Sequence, residues 1–91
     1  MKLTVLIAQN IITDFDKNFD SHRFIRGLLK NYPSVYAKLL LKYNDVGRAN
    51  AEIANFLRNH AVEIGITELP EQSLSVDLFL VNTLNASWQK K

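Results

Sequence analysis

The chain has 91 residues, of which 47% are hydrophobic and 22% are charged, and its formal net charge is +2. This length suits one domain, and this composition is typical of a folded globular protein rather than a disordered chain. Because cysteine is absent, a disulfide framework, a thiolate zinc site and a thiol nucleophile are all excluded. We therefore predict a single domain over residues 1–91, located in the cytoplasm.

No membrane association is predicted from the sequence. The apolar start of the chain is interrupted by Gln9 and Asn10, and no small-x-small cleavage site follows it. No stretch approaches the roughly 20 apolar residues that span a bilayer.

Three helices are predicted for the middle of the chain, at residues 20–32, 33–43 and 48–64. Apolar residues in the first recur every three or four positions, which is the spacing of one helix face. Asp20 is placed to cap the free amides at its start. Gly65 can adopt the left-handed backbone conformation that commonly ends a helix, so the third helix is predicted to end before it.

Both ends of the chain allow a helix or a strand. In residues 3–12, apolar side chains recur at every second position, as in a strand, and also every three or four positions, as in a helix. Residues 73–81 show the same two spacings. Apolar residues after Ser75 form a helical stripe that continues to Trp88, and this length favours a helix. We therefore predict an all-α fold, a compact bundle of four or five short helices. The alternative is an α+β fold in which the two chain ends form strands that pair with each other.

The middle of the chain is basic and both flanks are acidic, which is typical of an interaction surface or of a solvated face. Basic residues in this region could neutralise the phosphates of DNA or RNA. Nucleic-acid binding is therefore the second predicted function. The residues predicted to carry it are Arg23, Arg26, Lys30, Lys38, Lys42 and Arg48.

Protein binding is the first predicted function. Apolar residues cover nearly every face of the second helix and of the segment from Val76 to Trp88. This apolar surface exceeds what a small domain can bury internally. Tyr36, Tyr43 and Trp88 belong to the residue types that anchor protein contacts. We predict a non-enzymatic interaction module or regulator that binds another protein or a second copy of itself.

No catalytic site, metal site or cofactor is predicted. The segment Asp14-x-Asp16-x-Asn18 begins like a calcium-binding loop, but Phe19 and Ile25 occupy the positions that require glycine and glutamate. A zinc site at either of the two histidines would need further ligands, and cysteine is absent and cannot supply them. Three isolated glycines provide no phosphate-binding loop.

Overall fold

A computed structural model describes residues 2–91 and shows an α+β fold, with five helices and two small antiparallel sheets in that range. The helices are α1 (Val5–Ile12), α2 (Ser21–Asn31), α3 (Pro33–Tyr43), α4 (Val46–Asn59) and α5 (Ala61–Ile64). The strands are β1 (Asn18–Asp20), β2 (Ile66–Glu68), β3 (Ser73–Val76), β4 (Asn82–Asn85) and β5 (Ser87–Lys90). Strand β5 lies between β1 and β2, while β3 pairs only with β4 within the described residues.

The all-α prediction is therefore wrong, and the α+β alternative has the right class. No helix forms between Val76 and Trp88, where β4 and β5 follow a tight turn. The Asp77 carboxylate closes this turn by accepting hydrogen bonds from the amides of Phe79, at 2.8 Å, and Val81, at 3.1 Å. A side chain that bonds local amides competes with a helix and favours a reversal of the chain.

The N-terminal end of the chain is a helix rather than a strand. Thr4 caps α1, because its hydroxyl accepts a hydrogen bond from the Ile7 amide at 3.2 Å. The two chain ends consequently do not pair with each other as the alternative fold required. Strand β5 pairs instead with β1 and β2, and Trp88 lies opposite Phe19 on one side and Glu68 on the other.

The central helices follow their sequence signals closely. Asp20 caps α2 by accepting a hydrogen bond from the Arg23 amide at 2.8 Å, as predicted. The predicted helix over residues 48–64 is divided into α4 and α5 at His60, whose φ of −115° and ψ of 17° depart from helical values. Gly65 ends α5 with a φ of +91°, in the left-handed region that favours glycine.

One cluster of buried apolar side chains joins the helices to the three-stranded sheet. Its largest fully buried members are Trp88, Phe24, Leu28, Ile53, Leu57, Ile66 and Val35. Gly27 allows α2 to approach α1, because a Cβ atom there would lie 2.8 Å from Ile11 Cγ2. Within residues 2–91, no helix combines the length and apolar character needed to cross a membrane.

Candidate interaction surface on the β3–β4 hairpin

The hairpin formed by β3 and β4 has its apolar face toward solvent. Leu74 lies directly opposite Leu84, and their side chains are 67% and 64% exposed. Val76 lies on the same face, because side chains alternate along a strand. These three residues are called the outward face below. The alternate positions, Ser73, Ser75, Thr83 and Asn85, are partly or fully buried.

The opposite side of the hairpin is polar and bonded to α2. The hydroxyl of Ser75 lies 2.9 Å from His22 Nδ1, and the hydroxyl of Thr83 lies 3.2 Å from His22 Nε2. One imidazole therefore bridges both strands, with one nitrogen donating and the other accepting in either neutral tautomer. The Arg26 guanidinium adds a hydrogen bond to the Val76 carbonyl at 2.8 Å.

Asn85 is the centre of this polar contact. Its side-chain oxygen accepts a hydrogen bond from the His22 amide at 2.8 Å. Its side-chain nitrogen donates to the Ser73 carbonyl at 3.1 Å and to the Ser75 hydroxyl at 3.2 Å. The Ser73 and Ser87 hydroxyls form a further hydrogen bond. The hairpin is thus attached to the domain through these hydrogen bonds and through Leu78 in its turn, which packs partly buried against the core, whereas Leu74, Val76 and Leu84 do not join the core.

This orientation is the reverse of the usual one, in which a strand packs its apolar face on the core and exposes its polar face. Ten large hydrophobic side chains are exposed in the part of the chain that the structure describes, and six of them lie on this hairpin. They are Leu74, Val76, Phe79, Leu80, Val81 and Leu84. Three of them share the outward face and three are consecutive at the turn, so the hairpin carries apolar surface of the kind that marks an interaction site.

The tip of the hairpin, defined here as Phe79, Leu80 and Val81, is held in one shape by its turn. Besides the two hydrogen bonds to the Asp77 carboxylate, the Asp77 amide donates to the Val81 carbonyl at 2.9 Å. Leu80 has a φ of +63°, which is uncommon for a residue with a bulky side chain. The turn therefore holds an 85% exposed leucine in a backbone conformation that costs about 1–2 kcal/mol.

The aromatic residues predicted to bind a partner lie mostly inside the domain. Trp88 is fully buried, and its indole nitrogen donates a hydrogen bond to the Ser21 hydroxyl at 3.0 Å. Tyr36 is also buried, and its hydroxyl donates to Asn50 Oδ1 at 2.8 Å. Burial raises the pKa of the Tyr36 phenol. Tyr43 alone among the three is partly exposed.

Four of the six predicted basic residues lie in two separate places, and Lys30 and Lys38 lie at neither. Arg23 and Arg26 line a shallow cavity of about 300 Å³ together with Asp14, Asp16 and Asp20. These carboxylates oppose the attraction of the arginines for phosphate. The Arg23 guanidinium also lies 4.3 Å from the centre of the Phe15 ring, within the range of a cation–π contact.

The second basic location surrounds Tyr43 at the end of α3. The Lys42 ammonium lies 5.3 Å from the centre of the Tyr43 ring, and the Arg48 guanidinium carbon lies 5.6 Å from it. The structure therefore brings together two predicted cations from different helices. Lys38 and Lys30 are exposed on α3 and α2.

A cleft of about 230 Å³ lies between α3, α4 and the residues that precede α1; it is called the α3–α4 cleft below. Tyr43 and Phe56 contribute aromatic rings, and the His60 ring lies 4.4 Å from that of Phe56. The other apolar lining residues are Leu3, Leu39 and Ile53, and the polar ones are Lys2, Glu52, Asn55, Asn59 and His60.

A second concave region, of about 360 Å³, separates α4 from the base of the hairpin. Arg58 lies on its wall, but its guanidinium is already bound to the Glu68 carboxylate by hydrogen bonds of 2.8 and 2.9 Å. This pairing lowers the pKa of Glu68 and raises that of Arg58. The Arg58 guanidinium is therefore already paired with a carboxylate of the same chain, in an ion pair on the surface.

The described residues include no group of three or more histidine, aspartate or glutamate side chains arranged to hold a metal ion. Comparisons with protein-family models, curated proteins and solved structures found no significant match to this chain.

Proposed function

We propose that this protein is an interaction module that self-associates through the β3–β4 hairpin. The observation that carries the proposal is the orientation of the hairpin, with its polar face bonded to α2 and its apolar face in solvent. Exposing a contiguous apolar surface is unfavourable in water, and covering it is worth roughly 25 cal/mol per Å². A partner that covers this surface therefore gains binding free energy.

A second copy of the chain suits this surface because the hairpin is almost free of charge. Between Ser73 and Asn85 the only charged residue is Asp77, and its carboxylate is bonded to the turn. A surface with so little charge can dock on a second copy without like-charge repulsion, which is a frequent obstacle to self-association. Six exposed apolar side chains supply on the order of several hundred Å², a large part of the roughly 800 Å² that each partner buries in a standard interface.

Replacing both Leu74 and Leu84 by serine tests the proposal. Neither side chain belongs to the core cluster, so the fold should persist while self-association weakens by at least about tenfold, the effect of roughly 1.4 kcal/mol. Sedimentation velocity over a concentration series measures the change. Leu41→Ser is the matched control, because Leu41 is 83% exposed but lies on α3. A wild-type chain that stays monomeric at every concentration, or an equal loss in the control, would contradict the proposal.

Nucleic-acid binding is a second candidate, favoured by the meeting of Lys42 and Arg48 at Tyr43. Two cations gathered at a partly exposed aromatic ring suit a single strand, whose phosphates they attract. Lys42→Glu/Arg48→Glu should abolish retention of single-stranded DNA or RNA at low salt, measured by fluorescence anisotropy. Arg23→Glu is the control. Equal binding by the wild type and the double variant would rule out this candidate.

A further inference from the structure

The tip of the hairpin is shaped to insert into a cleft. Phe79, Leu80 and Val81 are 66%, 85% and 54% exposed, and no other part of the hairpin presents consecutive apolar side chains. The hydrogen bonds of Asp77 fix the turn before any partner binds. A preformed tip loses little conformational entropy on binding, which favours affinity.

The α3–α4 cleft has the size and lining to receive this tip. A cavity of roughly 150 Å³ is sufficient to hold a benzene ring, so the 230 Å³ of the cleft admits one large side chain such as Phe79 or Leu80. Tyr43 and Phe56 offer aromatic surfaces against which such a side chain can pack.

Charge also favours this pairing. Asp77 at the base of the tip is negative, whereas Lys2 lines the cleft and Lys42 and Arg48 flank the Tyr43 ring on its wall. Among the residues that line the cleft, Lys2 and Glu52 balance each other, so the surplus positive charge comes from Lys42 and Arg48 at the Tyr43 ring. The entering hairpin therefore meets a net attraction.

We infer that the hairpin tip of one copy inserts into the α3–α4 cleft of a second copy. This inference rests on the proposed self-association and specifies the surface that receives the hairpin. The outward face then covers the surface beside the cleft. Such a contact joins two different surfaces, so each copy retains one free tip and one free cleft unless a reciprocal insertion closes the dimer.

Two single variants separate the tip from the cleft. Leu80→Asn removes the apolar side chain but suits the left-handed backbone, because asparagine is enriched at positive φ. Asn59→Trp places a bulky side chain at the exposed end of α4, where Asn59 lines the cleft. Each variant alone should self-associate at least about tenfold more weakly than the wild type. Asn31→Trp is the matched control, because Asn31 is the exposed last residue of α2 and does not line the cleft.

Mixing the two variants gives the decisive result. The Asn59→Trp chain retains an intact tip and the Leu80→Asn chain an intact cleft, so the mixture should form a 1:1 complex that neither forms alone. Fluorescence-detected sedimentation of one labelled variant measures it. If Asn59→Trp self-associates like the wild type, or if the mixture shows no complex, cleft insertion is wrong while hairpin self-association stands. A monomeric wild type would overturn both.

Discussion

Replacement of Trp88 by alanine is expected to lower the free energy of unfolding by about 3–5 kcal/mol. Trp88 is fully buried in β5, the central strand of the three-stranded sheet, so its loss leaves a large cavity between the sheet and the helices. A domain of this size has about 5–15 kcal/mol of stability in total. Urea denaturation followed by far-UV circular dichroism measures the change.

Trp88→Phe separates the packing of Trp88 from its hydrogen bond. Phenylalanine retains an aromatic ring but removes the N–H that donates to the Ser21 hydroxyl, so we expect a smaller loss, of about 1–2 kcal/mol. If Trp88→Ala instead kept its stability and lost self-association, Trp88 would belong to an interface rather than to the core.

The second large effect is expected for Asn85→Ala, at about 2–4 kcal/mol. Truncation removes both groups that bond Asn85 to the chain, leaving the His22 amide and the Ser73 carbonyl without this partner. Unpaired polar groups in a buried environment each cost roughly 1–3 kcal/mol. Urea denaturation measures the global loss, and hydrogen exchange should show that the β3 and β4 amides lose protection before those of α2.

Asn82→Ala is the control for this prediction. Asn82 lies on the same strand and has the same chemistry, but it is exposed on the solvent side of the hairpin. We expect its stability to stay within about 0.5 kcal/mol of the wild type. Equal effects of the two substitutions would show that the buried hydrogen bonds of Asn85 do not hold the hairpin in place.

Attachment by hydrogen bonds matters for the proposed function because it leaves the apolar side chains available. If Leu74 and Leu84 packed on the core, the hairpin would hold to the domain by its apolar face and present serine, threonine and asparagine to a partner. With His22 and Asn85 bonded to the polar side instead, the apolar side stays in solvent. The proposed self-association would then depend on Leu74, Val76 and Leu84, which lie outside the core cluster.

The sequence by itself determined the central helices, because their signals are local. The apolar spacing and the cap at Asp20 act within one or two helical turns, and so does the stop at Gly65. Composition also excluded disulfides and thiolate chemistry without any structure. These properties depend on neighbours in the chain, and they need no tertiary contact.

Only the tertiary structure decided the C-terminal third of the chain. By spacing, the stripe from Val76 to Trp88 indicated a helix and the alternation within residues 73–81 a strand. The choice depended on the Asp77 turn and on pairing of β5 with β1, nearly 70 residues away in sequence. For Tyr36 and Trp88, the sequence does not distinguish a place in the core from a place in an interface, because large aromatic residues are common in both.

The tertiary structure likewise decided which face of the hairpin is buried. Alternation of Leu74 and Val76 with serines showed which side chains share a face, but a period of two does not say which face is buried. His22, more than 50 residues earlier, supplies the hydrogen bonds that make the polar face the inward one. Local spacing therefore determined the elements, whereas the partners of buried polar groups, which lie far away in sequence, decided which surface meets the solvent.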